Sequence, residues 1–311
     1  MGMLVKGCWT DADVARTGRG GAFEREVSTC RAWIGDDARF PAQAGRYHLF
    51  VNAGCPWAYR TILYRSLKGL EDVVSVSCTE PAAGREGWTF GKNPEPILGA
   101  RHMHHVYSAS DAEFTGRCTV PVLWDLASGT IVNNESADII RMLDSAFDGL
   151  PGVNAERFYR PEHAGEIDAL NEQIYETINN GVYRCGFAAS QAAYDAAFDQ
   201  LFAALDELDA RLEKARYLCG DVITEADWRL FSTLVRFDVA YYSAFRCNRQ
   251  RTADYPNLWP YARDLYSQPG VAATVDFDAI KSIYFGSRPP RIRPGGPMLD
   301  WAAPHGREPM I

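Results

Sequence analysis

The chain has 311 residues, of which 47% are hydrophobic and 23% are charged, and its formal net charge is -8. These values are typical of a globular protein and exclude disordered and collagen-like classes. The acidic balance argues against a dedicated nucleic-acid binder, which usually presents a basic face. The length is sufficient for two domains, each with its own core.

No stretch approaches the run of about 18 apolar residues that spans a bilayer, so we expect no membrane segment. The first residues turn acidic and glycine-rich, without the apolar centre of a secretory signal. The sequence therefore predicts a cytoplasmic protein.

The first part of the chain predicts an N-terminal extension followed by a β-α-β unit. Residues 1–45 show little periodicity, whereas 47–51 have strand character. Apolar residues then recur at helical spacing from Pro56 to Lys68, and Gly69 is typical of a helix end. A second strand is predicted over 73–78.

The following residues complete an α/β domain. Residues 80–117 read as a loop-rich insertion, while 120–125 and 129–132 predict two strands around a turn. A helix is predicted to begin at residues 134–136. This order of strands and helices is that of a thioredoxin-like fold, which we assign to residues 46–148.

The second half of the chain predicts an all-helical domain. Residues 149–161 read as a linker, and Thr224 and Asp227 match a capping box in form. Apolar positions three and four apart indicate helices at 162–182, 191–214, 224–240 and 258–268. We assign residues 160–287 to this domain and residues 288–311, which are rich in proline, to an irregular tail.

Eight cysteines, at positions 8, 30, 55, 78, 118, 185, 219 and 247, are too far apart for any Cys-x-x-Cys motif. Most are expected to be buried free thiols that behave as small apolar residues. Cys55 differs because it follows a predicted strand and precedes Pro56, and proline is favoured at the first position of a helix.

Cys55 is therefore predicted at a helix N-terminus, where free N–H groups and the helix dipole lower the pKa of a thiol below about 8.5. A buried structural cysteine is the alternative. Arg60 either adds positive charge or pairs with a carboxylate elsewhere. Because position 58 is Ala58, no second cysteine can resolve a disulfide, so the resolving thiol must come from another molecule.

Two further segments have the form of ligand-binding elements. Val120-Pro121 precedes a predicted central strand and is a candidate for a cis peptide bond, although trans is the commoner form. Glu135 and Ser136 lie at a predicted helix N-terminus, which suits an anion, but ordinary helix capping explains the same residues equally well.

His102, His104 and His105 lie close together in the predicted insertion and suggest a metal site. No cysteine accompanies them, and no Asp or Glu has convincing ligand spacing, so we predict that the chain binds no metal.

Seven motifs, distributed from about residue 40 to about residue 290, resemble one family. They are GCPWA at 54–58, GW at 87–88, TVPVLWD at 119–125, IVNNES at 131–136, NNGVYRCGFA at 179–188, VRFD at 235–238 and RCN at 246–248. Together they resemble the glutathionyl-hydroquinone reductases, the xi class of glutathione transferases, which is similar to the omega class.

The resemblance implies a glutathione transferase architecture and a glutathione-dependent reductase that releases hydroquinones through a mixed disulfide on its cysteine. It implies Cys55 as the nucleophile, Trp88, Val120, Glu135 and Ser136 as glutathione-binding residues, and Tyr183, Tyr241 and Tyr284 around the quinol. Glutathione would be a co-substrate, aromatic glutathionyl-hydroquinones the other substrate, and a homodimer the assembly. Considered alone, each tyrosine is more often a half-buried core residue.

The chain departs from the family at some positions. Tyr59 replaces the usual His after CPWA, and Ile283-Tyr284-Phe285 replaces His-Tyr-Tyr. Arg101 and Arg117 are both candidates for holding the glycyl end of glutathione. The alternatives are an omega-like thioltransferase or dehydroascorbate reductase, and a transferase fold that binds without turnover.

Overall fold

The computed structural model describes residues 2–11, 17–286 and 291–307. The chain forms two compact units. The first unit comprises Met1–Ala15, Val27–Glu156 and Thr274–Arg293, and the second comprises Arg16–Glu26, Arg157–Ala273 and Pro294–Ile311. The first unit is α/β and the second is helical, which confirms the predicted fold class.

The limits of these units differ from the predicted domains. Residues 274–286 belong to the first unit by their contacts, although the sequence places them in the helical domain, and residues 17–26 of the predicted N-terminal extension belong to the second unit. Of the predicted tail, residues 288–290 and 308–311 lie outside the described residues. No helix among the residues that the structure describes is long and apolar enough to cross a membrane.

The first unit contains a four-stranded mixed sheet and a small hairpin. The hairpin pairs β1 (Met3–Val5) with β2 (Cys8–Thr10), and the sheet contains β3 (Tyr47–Val51), β4 (Val74–Cys78), β5 (Val122–Asp125) and β6 (Thr130–Asn133). The order across the sheet is β4-β3-β5-β6, with β3 parallel to β4 and antiparallel to β5. All residues of β3 are buried, as expected for a central strand between two neighbours.

In the part of this unit that the structure describes, the helices are α1 (Pro56–Leu67), α2 (Met103–Ser110), α3 (Ser136–Ser145) and α11 (Phe277–Phe285). Helix α1 packs against α3 and β3, and α2 packs against β6. The hairpin strands β1 and β2 fall in the predicted N-terminal extension. The four strands of the sheet, helix α1 and the start of α3 were predicted to within about two residues. Helix α2 was not, because the prediction treated residues 80–117 as loop. It is short and its N-cap, His102, makes no capping hydrogen bond, so its capping signal is weak.

Part of the predicted N-terminal extension lies along the edge of the sheet. Arg31 forms an isolated antiparallel bridge with Asn133 of β6, and the N–H of Ala32 donates to the carbonyl of Val132 at 3.0 Å. The hairpin is tied in by Leu4, which exchanges two hydrogen bonds with Gly116. These contacts cover backbone groups that an open sheet edge would leave unpaired.

The second unit consists of helices, two of which continue into π-helical turns. The helices are α4 (Ala164–Ile174), α5 (Gly181–Gly186), α6 (Gln191–Leu212), α7 (Glu225–Arg236), α8 (Tyr242–Ala244), α9 (Leu258–Ser267) and α10 (Val271–Thr274). The π turns are Tyr175–Asn179 after α4 and Phe237–Tyr241 after α7. Short 3-10 turns lie at Arg19–Gly21, Pro161–His163 and Thr252–Asp254.

The predicted pairing at the start of α7 is present and deeply buried. Asp227 accepts hydrogen bonds from the N–H of Thr224 at 2.7 Å and from the N–H of Leu218 at 2.9 Å. The hydroxyl of Tyr261 donates to the same carboxylate at 2.8 Å. Burial raises the pKa of Asp227, and these donors act in the opposite direction. The carboxylate thus joins the start of α7 to α9.

Asp125, at the end of β5, anchors the turn that leads into β6. Its carboxylate accepts from Arg46 at 2.7 and 2.8 Å, from the hydroxyl of Ser128 at 2.6 Å and from the N–H of Ala127 at 3.2 Å. Burial by itself raises the pKa of Asp125, but the hydrogen bonds from Arg46, Ser128 and Ala127 outweigh it and lower the pKa to about 2.

This lowered pKa predicts acid sensitivity. The unfolded chain has an Asp pKa of about 3.9, so charged Asp125 stabilises the fold by about 2–3 kcal/mol above pH ~4 and loses this contribution as the pH falls towards 2. Urea unfolding of the native protein and Asp125→Asn at pH 7, 4 and 3 should show a stability difference that shrinks on acidification. Asp221→Asn, at an exposed position, is the control. A difference independent of pH would contradict this assignment.

Candidate active site

Cys55 lies in the turn between β3 and α1. It is the N-cap of α1, with φ -75° and ψ 125°, and Pro56 occupies the first helical position. The carbonyl of Cys55 accepts from the N–H of Tyr59 at 2.9 Å, which begins the hydrogen-bonding ladder of the helix. The residue is 7% exposed. Cys55 therefore lies at a helix N-terminus, as its position in the sequence predicts.

The side chain of Asn52 holds this turn in place. Its Oδ1 accepts from the N–H of Gly54 at 3.0 Å and from the N–H of Cys55 at 3.1 Å. Its Nδ2 donates to Oγ1 of Thr79 and to the carbonyl of Glu80, both at 2.9 Å. Asn52 is fully buried, and it joins the end of β3, the start of α1 and the segment after β4. Asn52 was not predicted, because its contacts with Thr79 and Glu80 span 27 and 28 residues of the chain.

Val120, one of the predicted site residues, lies close to the thiol. The Val120–Pro121 peptide bond is cis. The carbonyl oxygen of Val120 is 4.0 Å from Sγ of Cys55. Both residues are buried, so the start of β5 and the start of α1 meet at this point.

Glu135 and Ser136 lie at the start of α3. Glu135 is the N-cap and its Oε1 accepts from the N–H of Ala137 at 3.1 Å, so the ordinary capping role is present. Its Oε2 accepts from the hydroxyl of Ser28 at 2.9 Å. Nη1 of Arg60, from α1, lies 3.5 Å from Oγ of Ser136. Ser28 was not predicted, because it lies in the segment that shows no periodicity.

Trp88 is buried on a short antiparallel ladder outside the main sheet. Its carbonyl accepts from the N–H of Met103 at 2.9 Å, and the N–H of Phe90 donates to the carbonyl of Arg101 at the same distance. Of the two arginines considered for the glycyl end of glutathione, Arg101 is exposed and Arg117 is buried.

Tyr284 lies on α11, which packs against the turn before Cys55. A Cβ atom on Gly54 would come within 2.6 Å of the carbonyl oxygen of Ala279 and within 3.1 Å of Cγ2 of Ile283. Glycine at position 54 is therefore what permits this close approach.

Tyr59 occupies the position where the family commonly has His. It is fully buried, and its hydroxyl accepts a hydrogen bond from Oγ1 of Thr274 at 3.1 Å.

Tyr183 and Tyr241 lie together in the second unit. Their ring centroids are 6.1 Å apart at an angle of 60°, and Phe245 packs against both. Tyr183 is half-buried, whereas Tyr241 is fully buried, as a core tyrosine would be. Tyr241 ends a π turn, a local irregularity often found at functional sites.

The cation of Arg25 lies against Tyr183. Its guanidinium carbon is 4.8 Å from the ring centroid of Tyr183, and its Nε donates to Oδ1 of Asn180 at 2.9 Å. A cation over a tyrosine ring contributes about 0.5–2 kcal/mol. Arg25 was not predicted, because it lies far from the aromatic motif along the chain.

Several other cysteines are in environments that suppress thiolate formation. Burial raises the pKa of Cys118 to about 12 and that of Cys219 to about 11. The pKa values of Cys30 and Cys247 are also raised, again mainly by burial. These thiols stay protonated near neutral pH and are poor nucleophiles.

Comparisons with known proteins agree with this architecture. Residues 54–146 match the family model of the glutathione S-transferase N-terminal domain, and residues 191–264 match that of the C-terminal domain. The two matched domains are the two halves of a glutathione transferase, the class of protein that the fold indicates.

The chain is 44% identical to the glutathionyl-hydroquinone reductase YqjG of Escherichia coli, over 99% of both chains. The glutathione-bound structure of YqjG superposes with a TM-score of 0.89 at 42% identity, covering 98% of this chain and 99% of that one. A xi-class transferase from Natrialba magadii has a TM-score of 0.90 at 45% identity, covering 99% and 96%. The chain belongs to the glutathionyl-hydroquinone reductases, the xi class of glutathione transferases.

Asn52→Ala is expected to loosen the turn and weaken activation of the thiol. The N–H groups of Gly54 and Cys55 would lose the hydrogen bonds to Oδ1, which contribute about 0.5–1.5 kcal/mol each. Because the helix N-terminus is expected to favour the thiolate, the pH midpoint for alkylation of Cys55 by iodoacetamide should rise in this variant. Asn154→Ala is a matched control, because Nδ2 of Asn154 donates to the carbonyl of Leu67 at the other end of α1. An unchanged midpoint in Asn52→Ala would show that Asn52 only stabilises the fold.

Proposed function

We propose that this chain reduces glutathionyl-hydroquinones to hydroquinones, with Cys55 as the nucleophile and glutathione as the reductant. The observation that carries the proposal is the geometry of Cys55, which caps α1 and has Pro56 behind it. Membership of the reductase family supports the substrate class, and the glutathione-bound structure of YqjG supports glutathione as co-substrate.

The proposed reaction has two steps. The Cys55 thiolate attacks the sulfur of the glutathionyl-hydroquinone, which breaks the bond between sulfur and the aromatic carbon and forms a Cys55–glutathione disulfide. The aromatic carbon takes up a proton and leaves as hydroquinone. A second glutathione thiolate then attacks the mixed disulfide, which releases oxidised glutathione and restores the Cys55 thiolate. Ala58 supplies no internal thiol, so the cycle needs this external one.

The binding roles in the proposal follow the family motifs. Val120 would hold the cysteinyl part of glutathione through its backbone, and its position 4.0 Å from Sγ of Cys55 supports this role. Glu135 and Ser136 would bind the γ-glutamyl end, and Trp88 would pack beside the tripeptide. The N-terminus of α3 favours a carboxylate there.

The tyrosines would hydrogen-bond the ring oxygens of the hydroquinone and supply the proton that the departing carbon needs. A tyrosine hydroxyl is both donor and acceptor and is neutral at pH 7, which suits this role. Tyr183 is the best supported of the three, because it is only half-buried and Arg25 orders its ring. Tyr241 and Tyr284 complete the proposed set. The cytoplasmic location and the homodimer also remain predictions.

Removal of the Cys55 thiol should abolish turnover. Hydroquinone release from a glutathionyl-hydroquinone in the presence of glutathione should fall at least about a thousandfold in Cys55→Ser, because nucleophilic residues contribute on this scale. Cys8→Ser, at an exposed position, is the control and should retain activity. No release by the native protein would overturn the proposed function. Release that survives in Cys55→Ser would overturn the mechanism.

Mass spectrometry of the protein treated with oxidised glutathione gives a second readout of the same assignment. One adduct on Cys55 is expected, while Cys118 and Cys219, with their raised pKa values, should stay unmodified. Reduction of dehydroascorbate without any release of hydroquinone would instead support the omega-like alternative.

Tyr183→Phe should separate quinol chemistry from thiol exchange. Loss of the hydroxyl is expected to lower kcat/KM for the glutathionyl-hydroquinone about a hundredfold, the scale of general acid catalysis. Exchange of glutathione with a small mixed disulfide, which has no aromatic leaving group, should change less than threefold. The control is Tyr266→Phe, another half-buried tyrosine. Equal losses in both reactions would argue against a role for Tyr183 in the aromatic step.

A further inference from the structure

Glu86, His102 and His104 form a cluster of metal-ligating side chains in the first unit. Nε2 of His104 is 3.4 Å from Oε2 of Glu86, and Nε2 of His102 is 3.8 Å from the same oxygen. One ligand atom from each residue lies within 4.8 Å of the other two. Neighbouring ligands of a tetrahedral zinc ion with bonds of about 2.0–2.1 Å are about 3.3 Å apart, so the spacing is close to that of a site.

The backbone holds these three residues near one another without an ion. Glu86 lies in a tight turn closed by a 2.9 Å hydrogen bond from the N–H of Gly84 to the carbonyl of Gly87. Thr89 then pairs with His102 in an antiparallel bridge. His104 follows on the first turn of α2. The turn and the ladder therefore fix the Cα positions of all three ligands.

Aromatic packing fixes the position of the most buried ligand. The ring of His104 stacks on Trp9 of β2, with centroids 4.7 Å apart and planes 23° apart. The side chain of His104 is only 8% exposed, whereas Glu86 is 52% exposed and therefore open to solvent. An ion can reach the cluster from the side of Glu86, and the cluster has an apolar wall behind it.

His102 has an unused hydrogen-bonding atom. Its Nδ1 is buried and has no hydrogen-bond partner among the described residues. Its ring is nearly parallel to that of His104, at 9°, with centroids 5.2 Å apart. The lone pairs of the imidazole nitrogens lie in the ring planes, so two nearly parallel rings cannot both point at one ion unless one of them rotates. Rotation of His102 would break no hydrogen bond at its Nδ1.

We propose that Glu86, His102 and His104 bind one divalent transition-metal ion of the zinc type. Two imidazoles and one carboxylate are a common three-ligand set for zinc, with solvent or a substrate atom as fourth ligand. This site is separate from the chemistry of Cys55. The predicted absence of a metal rested on the lack of both a nearby cysteine and a suitably spaced carboxylate. Glu86 supplies the carboxylate from a turn that precedes the histidines in the chain.

Bound metal would join the two strands of the ladder that carries Trp88. Glu86 precedes Trp88 by two residues, and the carbonyl of Trp88 accepts from the N–H of Met103, between the two histidines. Coordination by Glu86 and the two histidines would therefore join these two segments through their side chains, beside the backbone hydrogen bond between Met103 and Trp88.

Isothermal titration of the full-length, untagged, EDTA-treated protein with ZnCl₂ tests this site. We expect one ion per chain, and Glu86→Gln and His104→Ala should each weaken binding at least about tenfold, because each removes one of three protein ligands. The matched control is His163→Ala, which removes another histidine near a glutamate, with Nδ1 3.9 Å from Oε2 of Glu166. No binding, or binding that neither cluster variant weakens, would overturn the proposal.

A cobalt titration separates this site from the thiols. Co²⁺ bound to nitrogen and oxygen should give visible d–d bands without the near-ultraviolet charge-transfer band of a thiolate ligand. It should also quench the fluorescence of Trp9, so the quenching should be smaller in Trp9→Phe. A thiolate band that disappears in Cys8→Ser would assign the ion to a cysteine and overturn the proposal. The exposed position of Glu86 makes Glu86→Gln a safe variant for folding, which circular dichroism would check.

Discussion

The hydrogen bonds of Asn52 connect three parts of the first unit at the point where the chemistry is proposed. One buried amide bonds the turn before Cys55 and the segment after β4, so the parallel pair β3–β4 and the start of α1 are held by the same side chain. Every donor and acceptor of a buried amide must be satisfied, and here both ends of the amide are. The position of the thiol follows from this constraint, because Cys55 is three residues from Asn52 and its own N–H is one of the bonded groups.

The elements that the sequence predicted well are those with a strong local signal. The strand at residues 47–51, the helix that begins at Pro56 and the cap of α7 at Thr224 and Asp227 depend on periodicity, on proline or on a capping pair, all of which act between near neighbours. The position of Cys55 at the N-cap followed directly from this local chemistry.

The features that were missed depend on contacts between residues far apart in the chain. Ser28 bonds Glu135 across more than a hundred residues, and Arg25 bonds Asn180 across a still longer separation. Helix α2 has no capping side chain that would mark its start in the sequence. Glu86 lies near the histidines only because a tight turn and the backbone pairing that follows it bring the two segments together. No pattern of spacing in a single sequence predicts such pairs, although the family motifs identified some of the regions involved.

Helix α11 has a consequence for the order in which the protein is made. The segment Thr274–Arg293 belongs to the first unit, but the whole of Arg157–Ala273 is synthesised before it. While the ribosome adds those residues, the strands around the turn at Gly54 and Cys55 have already been made. Helix α11, which packs on this turn, has not. The nascent first unit therefore exposes, beside Cys55, the surface that α11 later covers, and exposed surface of this kind favours association with other chains. The long sequence separation of this contact also slows folding, so the first unit is complete only after α11 has been made and has packed.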